Sequence, residues 1–521
     1  MPLREPTRWW SLILAVAGGL LTEAAFPDLG WWGCAFLGVA ALFLALGRDS
    51  ARWNTLVGLL WGLAFFAPQI VWADYAVGRV PWLALTVFES CYIAVLGAAW
   101  SWVRRGAVIW RSASLQTVAF VLLWVAVEDL RSSVPFGGFP WGRLAFSQSD
   151  SPLLAVAWLG GAPLVSAAVC LVGVATALVL VATRGLRLGH ALAGIALVVV
   201  VVALPLLIPL DTQAQDGNLR VGAVQGNVPA PGLDAFAQAG KVLDNHLAGT
   251  KALLDQVHPG ELDVVLWPEN GTDIDPEADA GAARAIDDAA RQVGAPMLVG
   301  TVQYPKSGGR YNTAVLWEPG VGVVASYTKQ HPAPFAEYIP MRSLLRPFSS
   351  AVDLVQVDML PGTKVGVVPL TSARLGRTVK LGDVICFEVA YDELPRAAVR
   401  AGAEMLVVQT NNASFGFTAE STQQLAMSRL RAVELGRATV QISTVGVSAV
   451  IAPNGVVSDR TSLFTPADLV ARLPLRHSLT PAAIVGEWPV RVADALAVTA
   501  MLAGCAGAYQ VRQRSRVKRG N

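Results

Sequence analysis

Cys386 closes an apolar, strand-like run, Gly382-Asp383-Val384-Ile385-Cys386, and a carboxylate, Glu388, follows two residues on. Of the chain's five cysteines it is the one outside a membrane-length apolar segment; Cys34, Cys91, Cys170 and Cys505 lie within such segments and read as small buried hydrophobes. A thiol becomes a nucleophile when a base takes its proton or a cation stabilises the thiolate. Two other strand ends offer those groups. Asp263-Val-Val-Leu-Trp267-Pro268-Glu269 puts Glu269 just past a buried run, where Pro268 ends regular pairing and partial burial raises a carboxyl toward the range of a useful base. The run Val323 to Tyr327 leads to Lys329, an ammonium able to pair with thiolate and then donate to a developing oxyanion. Each alone would pass for a rim charge, but together they supply a nucleophile, a base and an oxyanion donor. The histidines His246, His258, His331 and His477 leave a Cys–His dyad open, with surface or structural places expected for His246, His258 and His477. No Cys/His group has metal-ligand spacing, and the glycine-rich nucleotide motifs are missing from this region. Neither a metal nor another cofactor is expected, and no nucleic-acid partner.

The elements that must present these residues alternate. Short strands are expected at Leu219–Val224, Asp263–Trp267, Met297–Val302, Thr313–Trp317, Val323–Tyr327, Lys380–Cys386, Met405–Gln409, Thr439–Thr444 and Ser448–Ile451. Helices are expected between them, near 234–257, 281–293, 391–402 and 420–436, the last carrying Leu425, Met427, Leu430 and Val433 at near-helical spacing. That alternation indicates a layered α/β domain over 212–482, at roughly 270 residues large enough for its own core.

The remainder has a different solvent. Apolar residues make up 54% of the 521 and charged residues 15%, with a mean hydropathy of +0.48, which marks a membrane protein. The net charge of +2 points to no partner. Residues 1–211 divide into seven candidate spans at about 9–26, 30–47, 55–78, 82–103, 113–130, 152–183 and 190–210, and residues 483–521 into an eighth near 488–509 with a basic tail. The sixth is long enough to tilt or to begin at the interface. Arg4, Arg8, Arg48, Arg52, Arg104, Arg105, Arg111, Arg184 and Arg187 fall on alternate connections; the opposite connections carry Arg79, Arg131 and Arg143. The arginine-rich side is cytoplasmic by the positive-inside rule, so 212–482 faces outward and both termini face inward. Glu128, Asp129 and Arg131 stand at the outer end of the fifth span, before Phe136-Gly-Gly-Phe139-Pro-Trp141; they read either as an interfacial belt with snorkelling charges or as supports for a lipid-facing site.

With these residues in view, the chain resembles a known family. Trp267-Pro268-Glu269, Tyr327-x-Lys329-x-His331 and Ile385-Cys386-Phe387-Glu388 look like the Glu-Lys-Cys signature of the carbon-nitrogen hydrolase (nitrilase) superfamily. With the spans added, the whole chain is similar to the apolipoprotein N-acyltransferases, and Val224-Gln225-Gly226-Asn227, Gly138-Phe139-Pro140-Trp141 and Pro334 to Pro340 match as well. The resemblance implies a four-layer αββα sandwich inserted between the seventh and eighth helices of an eight-helix bundle. It implies acyl transfer through a Cys386 thioester, from a membrane phospholipid to the α-amino group of a diacylglyceryl-modified lipoprotein. It gives Glu269, Lys329 and Cys386 the catalytic places, and puts Glu337, Glu388, Phe387, Asn312 and Asn411 around them. A membrane-tethered amidase acting on a soluble amide is the alternative that the same three residues permit. The chain departs from the family pattern at Ala336, usually Gly, at Phe387, often Tyr, and at Asn412 and Ser414, where many members have Asp and Trp.

The orientation is testable by cysteine scanning. An impermeant thiol reagent added outside intact cells is expected to label cysteines placed in 230–470 and to miss those placed at 48–52; the reverse pattern overturns it.

Overall fold

The protein is described by a computed structural model covering residues 5–106, 109, 112–228 and 240–520. Contacts divide it into two compact units, one of Met1–Val71, Trp82–Ile208 and Val485–Asn521, the other of Trp72–Pro81 and Pro209–Ile484. Arg4, Arg111 and the start of the helix expected from 234 lie outside the described residues, as do the side chains of the basic tail beyond Tyr509.

The first unit is helical. Among the described residues, five helices are long and apolar enough to cross a membrane: Arg79–Val103, Ala113–Ser133, Pro152–Arg184, Leu188–Leu207 and Trp488–Tyr509. Helices also occupy the other apolar segments, at Arg8–Glu23, Cys34–Ala45 and Ala51–Gln69. The segment expected to run to 78 stops at Gln69, just after Pro68, where Ile70 leaves helical geometry with a φ of −115°. Trp72–Val77 is then a separate short helix, counted with the second unit. The long sixth segment opens with a 3-10 turn at Pro152–Val156 and breaks again at Gly161, whose φ of +66° suits a residue with no side chain.

Of the charges at the end of Ala113–Ser133, Glu128 and Arg131 are buried and Asp129 is half-buried. Arg131 is 3.0 Å from Glu89 and donates to the carbonyls of Phe139 and Trp141, both at 2.7 Å. Glu128 accepts from the Leu144 amide at 2.9 Å and pairs with Arg143 at 3.5 Å. The loop after this helix is thus held by its own ion pairs, a requirement where water cannot satisfy the backbone.

The second unit holds, among its described residues, twelve strands in two six-stranded sheets. They are β1 (Asn218–Gln225), β2 (Val264–Leu266), β3 (Met297–Gln303), β4 (Tyr311–Glu318), β5 (Gly322–Thr328), β6 (Val367–Ser372), β7 (Arg377–Ile385), β8 (Met405–Thr410), β9 (Thr439–Ser443), β10 (Ala449–Ile451), β11 (Val457–Arg460) and β12 (Ala467–Pro474). One sheet runs β12-β1-β2-β3-β4-β5 and the other β11-β10-β9-β8-β7-β6. Neighbours β1, β2 and β3 are parallel, as are β7, β8 and β9. Leu219, Val221, Leu266, Leu298 and Leu316 of the first sheet meet Leu370, Val379, Leu381, Val407 and Ile442 of the second in one buried cluster. Outside the first sheet, Val265, Trp267, Met297 and Val299 pack on Ile286 and Val293 of the helix Ala280–Val293 and on Leu243 of Lys241–Ala252. Outside the second, Leu406 packs on Ala398 and Val399 of Glu393–Arg400 and on Leu435 of Glu420–Leu435. The layers therefore run helix, sheet, sheet, helix.

The strands not foreseen, β6, β11 and β12, all lie on sheet edges; β11 is short and mostly polar, and β12 carries Asp468 and Arg472 among its apolar residues. Pro369 sits in β6, and a proline is tolerated there because an edge strand can leave an amide position unpaired.

Leu381 of β7 is fully buried between the sheets. Leu381→Ala should cost about 2–5 kcal/mol of domain stability, read by denaturant unfolding of the detergent-purified protein; a loss below about 1 kcal/mol would contradict the inter-sheet core.

Candidate active site

Three strands end at one place. After β2, the Trp267 indole is buried, donates to Thr250 Oγ1 at 2.8 Å and packs against His246. Pro268 ends the pairing, and the backbone of Glu269 is held from the other sheet: Gln409 donates to the Trp267 carbonyl at 2.6 Å and Thr444 to the Glu269 carbonyl at 3.1 Å. The Glu269 carboxylate accepts from Asn312 Nδ2 at 2.6 Å and from Lys329 Nζ at 3.3 Å. Asn312, in β4, also accepts the Lys329 amide at 2.9 Å, so one residue aligns both partners. Lys329 Nζ reaches Glu337 at 2.8 Å, and the other oxygen of Glu337 accepts from the Ala333 amide at 2.6 Å.

Cys386 follows β7 directly and opens a 3-10 turn, Cys386–Ala390, with a φ of +54°. A left-handed backbone at a residue with a side chain costs on the order of 1–3 kcal/mol and persists only where the surroundings fix it. Glu388 is that constraint. Wholly buried, it accepts from the amides of Ile385 at 2.9 Å, Gln330 at 2.7 Å and His331 at 3.1 Å, and from the Tyr327 hydroxyl at 2.9 Å. One carboxylate thereby ties the chain entering the Cys386 turn to the chain leaving β5 beside Lys329. Phe387 packs its ring on Tyr391, which in turn lies against His331.

The electrostatics follow from burial. Burial raises the Glu269 carboxyl, Lys329 opposes that and Glu337 adds to it, while the Asn312 amide donates to the carboxylate and pulls back. Burial alone would lower Lys329, but Glu337 and Glu269 more than offset it and hold the ammonium well above the ordinary lysine range. Burial pushes the Cys386 thiol up, the Glu269 charge pushes it further and Lys329 pulls back. Burial and the Glu269 charge thus favour the thiol of Cys386 over the thiolate. Cys386 stays partly exposed while Glu269 and Lys329 are buried, so the nucleophile is the member that a substrate can reach.

The structure brings Glu269, Lys329, Cys386, Glu337, Asn312, Glu388 and Phe387 into one region. Asn411 takes another place: its side chain accepts from the Ala413 amide at 3.2 Å and shapes the turn after β8. Of the histidines, His246 is buried against Trp267 with its ring nitrogen on the Val242 carbonyl, His477 pairs with Asp216, and His331 lies 3.6 Å from Glu393.

Sequence reasoning missed a polar group behind the sulfur. Thr410 Oγ1 lies 3.5 Å and Gln424 Nε2 3.7 Å from Cys386 Sγ, and Asn412 and Glu420 stand behind them, buried. Burial raises the Glu420 carboxyl to about 8. The signal lay in the helix Glu420–Leu435, whose Ser421, Gln423, Gln424, Ser428 and Arg431 are buried together with its apolar residues.

Because the folded Glu420 binds its proton more tightly than an unfolded one, its contribution to stability is present at low pH and is lost as pH rises from about 4.5 to about 8. In Glu420→Gln that loss should shrink, measured as denaturation midpoints across this range. A slope unchanged from the parent chain contradicts the burial effect.

Comparison with known proteins bears on the whole chain. Residues 18–175 match the family model for the apolipoprotein N-acyltransferase N-terminal domain, and residues 220–477 match that for carbon-nitrogen hydrolases. The chain is 40% identical over 496 residues to an apolipoprotein N-acyltransferase of Mycolicibacterium smegmatis, covering 90% of this chain and 81% of that one. It is 31% identical over 501 residues to one of Azotobacter vinelandii, covering 92% and 93%. Among solved structures, an amidase of the nitrilase superfamily from Nesterenkonia is similar at 19% identity and a TM-score of 0.39, over 54% of this chain and 99% of that one.

Proposed function

The chain belongs to the apolipoprotein N-acyltransferase family, and on that membership we propose that Glu269, Lys329 and Cys386 carry a two-step acyl transfer from a phospholipid to a lipoprotein. The observation that supports these roles is the meeting of three strand ends, which brings a partly exposed thiol into the field of a buried carboxyl paired with a fixed cation.

In the first step Glu269 takes the thiol proton as Sγ attacks the ester carbonyl of a phospholipid. Negative charge gathers on the carbonyl oxygen, where the Lys329 ammonium and the backbone N–H of Phe387 would stabilise it. The carbon–oxygen bond breaks, the departing glyceryl oxygen takes the proton from Glu269, and lysophospholipid leaves a thioester on Cys386. In the second step the α-amino group of a diacylglyceryl-cysteine attacks the thioester, Glu269 removes a proton from the nitrogen, and as the carbon–sulfur bond breaks that proton passes to Sγ, restoring the thiol. Glu337 holds Lys329 in place through both steps, and Glu388 fixes the backbone that carries Lys329 and Cys386.

A donor that resides in the bilayer calls for a site at its surface. The segment after Lys329 exposes Phe335, Met341, Leu344 and Phe348 beside Arg342 and Arg346, the composition of a lipid-facing arm. We place residues 212–482 outside the cytoplasmic membrane, after seven helices from 1–211 and before an eighth in 483–521, with both termini cytoplasmic. The arginine bias of the connections supports this arrangement.

Incubating the purified protein with phospholipid labelled in its acyl chain should put label on the Cys386 peptide. Cys386→Ala should carry none, and Glu269→Gln should slow adduct formation by roughly 10²–10⁴-fold. Label absent from the Cys386 peptide of the parent protein defeats the mechanism.

A further inference from the structure

Behind the nucleophile the hydrogen bonds have a fixed direction. Gln424 Oε1 accepts twice, from Thr410 Oγ1 at 2.7 Å and from Asn412 Nδ2 at 3.0 Å. A side-chain amide so held cannot be reversed without facing donors with a donor, and its N–H group is left pointing at Cys386 Sγ, 3.7 Å away. Thr410 has one hydroxyl proton, and the 2.7 Å contact with Gln424 claims it over the 3.5 Å contact with sulfur. In the resting thiol Gln424 is therefore the donor aimed at Sγ, and Thr410 can accept the S–H.

The orientation of Asn412 is fixed in the same way. Its Nδ2 donates to Glu420 Oε2 at 2.5 Å, and its Oδ1 accepts from Ser443 Oγ at 2.7 Å. Ser443 Oγ accepts the Gly446 amide at 3.1 Å, and its one proton has two acceptors in reach, the Gly446 carbonyl at 3.1 Å and Asn412 Oδ1 at 2.7 Å, of which the shorter contact claims it. Thr410, Asn412, Glu420, Gln424 and Ser443 are all buried, so no water competes for these bonds.

We propose that Gln424 is a further catalytic residue, whose amide N–H stabilises the Cys386 thiolate as it forms, and that Asn412 and Glu420 are positioning residues that hold this amide in its donor orientation. A hydrogen bond to an ionised sulfur is worth more than one to the thiol, so the donor acts as charge develops. The other charged groups facing the sulfur are Glu269 and Lys329, with Glu420 itself behind the relay. The inference rests on Cys386 being the nucleophile.

Iodoacetamide alkylation of the full-length protein in detergent, followed at the Cys386 peptide by mass spectrometry across pH, tests it without any acyl substrate. Gln424→Met should slow alkylation at pH 7 roughly tenfold and move its midpoint up by about one pH unit. Gln424→Glu, the same size with an acceptor in place of the donor, should move it at least as far. Glu420→Met should reproduce the loss and Glu420→Gln, which keeps a neutral acceptor, should restore the parent profile. The double variant Gln424→Met/Glu420→Met should be no slower than Gln424→Met alone. Parent-like profiles in both Gln424 variants overturn the proposal, even if Glu420→Met does not fold, and additive losses in the double variant overturn the positioning role. A parent chain whose Cys386 does not react defeats the nucleophile assignment as well. Parent-like variants beside a normal labelled thioester defeat only the role of Gln424.

Discussion

The second unit is organised around one desolvated cation. Lys329 is buried with Glu269 at 3.3 Å and Glu337 at 2.8 Å, and a buried charge is tolerable only when its partners stay in place. Glu269 hangs from the end of β2, Lys329 from β5 and Glu337 from the chain beyond it, so the ion pairs require their relative positions to be kept. Removing Lys329 would leave two facing carboxylates without their counter-ion. The same cation also faces Cys386, whose thiolate it favours, and in the proposed mechanism it is the group that meets the oxyanion.

That constraint is transmitted through backbone more than through side chains. Glu388 takes no part in these ion pairs, yet it grips three amides and a tyrosine hydroxyl, and those amides belong to the two strand ends that bear Lys329 and Cys386. Gln409 and Thr444 of the second sheet do the same for the end that bears Glu269 of the first. The inter-sheet core holds the two sheets face to face, and the polar clamps at its rim set the site to tenths of an ångström. The left-handed backbone of Cys386 persists because these clamps surround it.

In the first unit the same economy of charge appears with a different purpose. Arg131 and Glu128 are buried, and each spends its hydrogen bonds on loop carbonyls or amides as well as on an opposite charge. A loop in an apolar setting has few other ways to satisfy its backbone. Their type and spacing marked them as unusual in the sequence, but whether they faced lipid headgroups or protein depended on the packing of Arg79–Val103 against Ala113–Ser133.

What the sequence determined by itself was whatever depends on composition or local order. The apolar excess gave a membrane protein, the alternation of strands and helices gave a layered α/β domain, and Glu269, Lys329 and Cys386 were legible because each stands just past an apolar run. What only the tertiary structure decided was everything that needs two distant segments to meet. The edge strand β11, Val-Ser-Asp-Arg, is too short and polar to announce itself and pairs with β10, while β6 and β12, interrupted by Pro369 and by Asp468 and Arg472, pair with β7 and β1. Helix Glu420–Leu435 reads as amphipathic, yet its polar side is buried too, since it lies against the nucleophile's turn and needs Gln424 and Glu420 there. Glu388 looked like a neighbour of Cys386 in the chain; its function as a clamp comes from Gln330 and His331, more than fifty residues earlier, whose amides no local pattern could have brought to it.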